Sequence, residues 1–154
     1  MDHSYDVRVL NSLIATTVDS VDGYRSAAAD ADSDRFRSIF NDRANEREDL
    51  VLDLQTRVRE LGGEPEDDGT ALAGAHRVFM NLRDAVTGKD DGAVVAEVER
   101  GEDHIKSKFE SALADEALSP ETREVVRECF SSVREGHDQM SSLKHGMEGA
   151  TSRV

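Results

Sequence analysis

The stretch Leu50-Val51-Leu52-Asp53-Leu54-Gln55-Thr56-Arg57-Val58-Arg59-Glu60-Leu61-Gly62-Gly63-Glu64-Pro65 decides how this chain is built. Leu50, Leu54, Val58 and Leu61 recur at helical spacing, which draws one apolar stripe along an otherwise charged helix. Two glycines then end the helix, and Pro65 forbids its resumption. Upstream the same stripe continues through Phe40, Ile39 and Phe36, so the helix is predicted over about 33–61, with Asp32 or Ser33 as its cap.

Working outward, the spacing predicts a preceding helix over about 5–29, striped by Leu10, Leu13, Ile14, Thr17, Val21, Tyr24 and Ala28. After the Gly-Gly stop comes an acidic loop, then a shorter helix over about 70–86 carrying Leu72, Ala75, Phe79 and Leu82 and ended by Gly88. A fourth helix is predicted over about 92–114 with Val95, Val98, Ile105, Phe109 and Ala112 inward. Ser119-Pro120-Glu121 opens the last, over about 120–147, with Val126, Cys129, Phe130, Val133 and Met140 inward and a tail, 148–154, that should fray.

Two of the connections between the long helices are short, which makes two antiparallel hairpins. The third, from Gly62 to Asp91, is long, and its helix of about 25 Å carries the chain back along the bundle. The expected fold is therefore all-α: a single domain over residues 1–154, a ferritin-like antiparallel four-helix bundle with a short extra helix in the crossover.

Charge removes whole classes of function. Acidic residues outnumber basic ones 33 to 19 for a net charge of −14, which repels phosphate backbones and anionic membranes. Nucleic acid and membrane are therefore not expected partners. Excess Asp beside only four lysines (Lys89, Lys106, Lys108 and Lys144) is a pattern shared by proteins adapted to high salt and by ordinary acidic ones. The N-terminal segment has no signal-peptide pattern and no run is long and apolar enough for a membrane span, so the expected location is cytoplasmic. The single cysteine, Cys129, reads as a small core residue.

Five polar residues interrupt the apolar stripes near mid-helix: Thr17, Arg43, Arg47, Glu102 and His137. The expectation is one buried polar layer in which the arginines pair with Glu102, since a buried charge must be paired. The competing reading is a metal site, for iron or another divalent cation, from Glu46, Glu102 and His137. A carboxylate-bridged dimetal centre wants an inward Glu on two helices and a Glu-x-x-His pair on each of the others. Here the first helix offers only Asp19, which faces away from its stripe, and Asp22 at its margin, and the residue three before His137 is Arg134. Gly101 in mid-helix costs about 1 kcal/mol relative to Ala, which a close helix contact would offset. His104 projects outward, and His76 on the short helix reads as structural. No nucleophile–base set, cysteine pair or phosphate-binding Gly loop is visible, so no catalytic residues are assigned.

Leu10-Asn11-Ser12-Leu13-Ile14, Asp22 to Ala28, Leu61-Gly62-Gly63-Glu64-Pro65-Glu66-Asp67, Glu99-Arg100-Gly101-Glu102-Asp103 and His137-Asp138 together resemble a bacterial family of ferritin-like four-helix-bundle proteins of unknown function. The resemblance implies the bundle fold and a stress-related or iron-related role, and brings no catalytic residues with it. Two functional expectations stand beside each other. One is a non-catalytic bundle without a cofactor that acts through its surface, as a homodimer or with a protein partner. The other is the metal-binding protein.

Overall fold

The computed structural model of the chain describes residues 3–67 and 91–151, with side chains as far as 146. The helix expected over 70–86, with His76, lies outside the described residues. Among the described residues there are four helices, α1 Ser4–Asp30, α2 Asp34–Glu60, α3 Asp91–Leu113 and α4 Pro120–Thr151, and no strand. The last helix thus continues beyond the expected end near 147.

Local chemistry explains the boundaries. Ser33 caps α2 by accepting from Phe36 N at 3.3 Å, and Ser119 does the same for α4 from Thr122 N at 3.4 Å. Beyond α2 the chain turns through Gly62 at φ +80°, a left-handed conformation that suits glycine. A Cβ on Gly63 would lie 2.8 Å from both Val7 methyls, so any larger residue there would have to push Val7 aside. Asn11 then holds the following segment, donating to Glu64 O at 3.0 Å and accepting from Glu66 N at 2.8 Å.

Helix α1 packs on α2 and α3, and α4 packs on α3 and α2, which makes a four-cornered bundle. Hydrogen bonds fix the directions. Asp6, at the start of α1, accepts from Ser119 just beyond α3, while Asp91 at the start of α3 accepts from Asp32 N and Ser33 N at 2.9 and 3.2 Å, just beyond α1. Arg43 with Gln139 and Arg57 with Thr122 likewise run α2 against α4. Every adjacent pair is therefore antiparallel, and α2 and α3 point the same way on opposite corners. The chain between them must connect opposite ends of the bundle, as the sequence reading requires.

Apolar burial divides into two clusters. One is built on Leu10, Ile14, Leu54, Val58, Phe109, Val126 and Val133. The other holds Tyr24, Phe36, Phe40, Val95, Val98 and Met140, with the Phe40 ring 6.2 Å from those of both Tyr24 and Phe36. Cys129 lies in the first cluster, and burial, reinforced by Asp53 and Glu128, pushes its thiol up to about 12. A thiol held protonated in this way is a packing group and not a nucleophile.

Asp6 latches one end of the bundle. Burial raises its carboxyl pKa, but hydrogen bonds from Ser119 and Thr122 more than offset this, and the net shift is below the ordinary 3.8. A carboxyl depressed on folding stabilises the fold fully above its unfolded pKa, and that contribution is lost as pH falls through the folded value. Asp6→Asn is expected to cost about 1–2 kcal/mol near neutrality. The gap from wild type should narrow as pH drops below about 4, measured by urea unfolding across that range. A gap that stays constant with pH would show that Asp6 is not held as a carboxylate.

Candidate functional site

A polar layer separates the two apolar clusters, at Thr17 and Ser20 on α1, Arg47 on α2, Glu102 on α3 and Gly136 on α4. Each position is about one turn from apolar neighbours on both sides: Ile14 and Tyr24, Ala44 and Leu50, Val98 and Ile105, Val133 and Met140. The layer follows from the helical period, since residues three or four apart share a face and a polar residue on the stripe points inward.

At its centre Arg47 and Glu102 are fully enclosed, at 0% and 1% exposure, with Arg47 Nη2 donating to Glu102 Oε2 at 2.7 Å. Arg47 Nη1 donates to Ser20 Oγ at 2.8 Å, and the Tyr24 hydroxyl donates to Glu102 Oε1 at 2.8 Å. The guanidinium carbon also lies 5.6 Å from the centre of the Tyr24 ring. Burial alone would pull the Arg47 pKa down, but the adjacent Glu102 carboxylate more than restores it, so the guanidinium keeps its charge. Burial, and then the Glu102 charge, drives the Tyr24 phenol well above its ordinary value, so it remains a donor. Arg47 Nε is the one buried atom of the group with no protein partner.

Gly136 completes the layer. A methyl group there would press into Arg47 Nη2 and sit 3.2 Å from Glu102 Oε2, so the missing side chain is the space the guanidinium fills. Gly101 behaves differently: a Cβ at this exposed position meets nothing within 4 Å, so the expected close helix contact is absent among the described residues.

The five polar residues of the sequence reading do not form one network. Arg43 is only half-buried and bonds Glu46 at 2.9 and 3.0 Å and Gln139 at 2.7 Å, away from Glu102. Thr17 lies in the layer, but its hydroxyl is spent on Leu13 O one turn earlier at 2.7 Å. His137 projects one helical step off the inward line, its Nε2 2.7 Å from Asp103 Oδ1. The stripe on α4 fits 136 or 137 equally well between Val133 and Met140, and the bulk of Arg47 selects the glycine. Tyr24, Ser20 and Gly136 were thus missed as members of the network. The signal for Tyr24 was present, since a tyrosine on a core stripe needs a partner for its hydroxyl.

Glu46, Glu102 and His137 do not meet. Glu46 is tied to Arg43 and Ser132, Glu102 to Arg47 and Tyr24, and His137 to Asp103. A metal ion between the helices would have to displace a guanidinium already bound to the carboxylate, so the interior donors do not suit the metal site read from Glu46, Glu102 and His137. Among the described residues, the carboxylate and imidazole atoms that converge, all within 4.8 Å of one another, belong to Glu99, Asp103 and His137, on the outer side of α3 and α4.

A groove of about 200 Å³ opens between α1 and α3, with Tyr24, Val98, Glu102 and Ile105 among its walls and His104 beside it. His104 itself is exposed.

Fold and site together define a four-helix bundle whose mid-plane is closed by a buried ion pair. The profile of a domain family of unknown function (DUF2383) matches residues 6–115, and the chain belongs to that family. Tyr24, Arg47 and Glu102 fall within the matched region, whereas Gly136 and His137 follow it. No curated protein shows significant similarity to the chain. No described helix is long and apolar enough to cross a membrane.

Proposed function

We propose that the protein is a ferritin-like bundle without a catalytic centre, which acts through its acidic surface on a protein partner or a second copy of itself. The observation carrying this reading is the contact of Arg47 with Glu102 at 2.7 Å, with both side chains excluded from solvent. In a ferritin-like bundle the mid-plane is where inward carboxylates gather metal. Here a guanidinium supplies the positive charge, and Arg47 and the Tyr24 hydroxyl each occupy one oxygen of the carboxylate. The antiparallel neighbours and the long connection between α2 and α3 support the ferritin-like arrangement. The net charge of −14 makes a partner of positive surface charge the better fit, and scarce lysine suits an environment of high salt.

The test is iron oxidation. Fe(II) is added in air to the untagged chain, to Glu46→Ala and to His137→Ala, and ferric absorbance is followed. All three are expected to match buffer alone. Faster oxidation by the wild type that survives in His137→Ala but vanishes in Glu46→Ala would overturn the closed interior.

A further inference from the structure

We infer that Glu99, Asp103 and His137 form a surface site for a divalent transition-metal ion of the zinc, cobalt or manganese kind. This inference does not depend on the absence of catalysis, and its failure would leave the closed interior standing.

Glu99 and Asp103 are four residues apart on α3, so both project from one face of the helix. The antiparallel α4 brings His137 to the same place, its Nε2 2.7 Å from Asp103 Oδ1. One donor atom from each residue lies within 4.8 Å of the other two, and because ligands at about 2.0–2.2 Å from a shared ion are no more than about 4.4 Å apart, small rotamer changes must draw them in. The site is anchored as well as assembled. The Glu99 and His137 side chains are only 13% and 15% exposed, while Asp103, at 58%, faces the solvent from which an ion would arrive.

A second feature is found at ligating histidines. The other ring nitrogen, His137 Nδ1, faces Asp138 Oδ1 at 3.4 Å. A metal-bound imidazole usually donates its remaining N–H to a carboxylate, which fixes the tautomer that leaves Nε2 free to ligate. Asp138 is placed for that role once a metal ion replaces the Nε2 proton that now meets Asp103, leaving the remaining N–H on Nδ1. One imidazole nitrogen and two carboxylates favour first-row transition ions over Mg²⁺ and Ca²⁺, which prefer all-oxygen sets.

The groups around the site also name its competitor. Lys144 Nζ lies 3.1 Å from Glu99 Oε2, so the site already holds a side-chain cation, and an arriving metal ion must displace it. His104 on α3 and His145 on α4 are exposed and serve as controls, because neither belongs to the converging group.

The experiment is titration of the untagged full chain with Co(II), followed by its visible ligand-field bands and by equilibrium dialysis. One Co(II) per chain is expected, with displacement by Zn(II). His137→Ala and Asp103→Asn should each weaken binding at least tenfold, and Glu99→Gln should do likewise. Lys144→Met should tighten it, and His104→Ala should leave it unchanged. None of the five substitutions is at a fully enclosed position, and circular dichroism verifies that each variant is folded. Binding weaker than about 1 mM in the wild type would overturn the site, as would binding that is unchanged in His137→Ala or lost in His104→Ala.

Discussion

Replacing Arg47 with Met, or Glu102 with Leu, is expected to lower the free energy of unfolding by roughly 3–5 kcal/mol in either single variant. The reason is asymmetry. Each single change leaves the other charge enclosed at 0–1% exposure with its counter-ion gone, and such a charge cannot recover its hydration. Glu102→Leu also strips the acceptor from the Tyr24 hydroxyl, and Arg47→Met strips the donor from Ser20. A small domain is stable by only about 5–15 kcal/mol in total, so either variant should lose much of its margin. The double variant Arg47→Met/Glu102→Leu is expected to regain most of the loss, because an apolar pair of similar volume avoids the desolvation cost altogether. Guanidinium unfolding of the four proteins closes the cycle and gives the coupling energy. If the single effects simply add, the two residues are not coupled and the closed-layer account fails.

The second large effect is a sign reversal between two helical glycines. Gly101→Ala is expected to stabilise by about 0.5–1 kcal/mol, the ordinary gain in helix propensity, because its Cβ enters open space. Gly136→Ala gains the same propensity but drives a methyl into the Arg47 guanidinium. A flexible arginine on the surface would swing aside at little cost. This one is bonded to Glu102 and Ser20 inside the core, and moving it lengthens the bond to Glu102. Overpacking of this kind costs about 1–3 kcal/mol, so Gly136→Ala should be net destabilising while Gly101→Ala raises the melting temperature. A stabilised Gly136→Ala would mean that the layer has slack, and the guanidinium would no longer serve as a fixed plug.

The site prediction and the stability predictions separate cleanly. Changes at Arg47, Glu102 and Gly136 are expected to act on unfolding and leave Co(II) titration unaffected where the variant folds. Changes at His137 and Asp103 should do the reverse, since those side chains are partly solvated and pair across the outer edge of α3 and α4. A variant set in which both properties moved together would merge the two layers into one.

The sequence by itself determined the four described helices, the cap at Ser119, a cap at Asp32 or Ser33, and the need for a buried partner to Glu102. These depend on local periodicity and short-range chemistry: the stripe of Leu50, Leu54 and Val58, the hydroxyl of Ser33, the turn at Gly62. The stop at Gly62-Gly63-Pro65 also dictated a long connection. Only the tertiary structure decided which arginine reaches Glu102. Arg43 and Arg47 are one turn apart on the same helix, and the choice depends on the height at which α2 meets α3. Tertiary packing likewise chose Gly136 over His137 for the interior, because a 100° step on α4 separates them and only the volume of Arg47 tells them apart. That same step turned His137 outward to Asp103 and Glu99, on a neighbouring helix that no local pattern in the sequence connects to it.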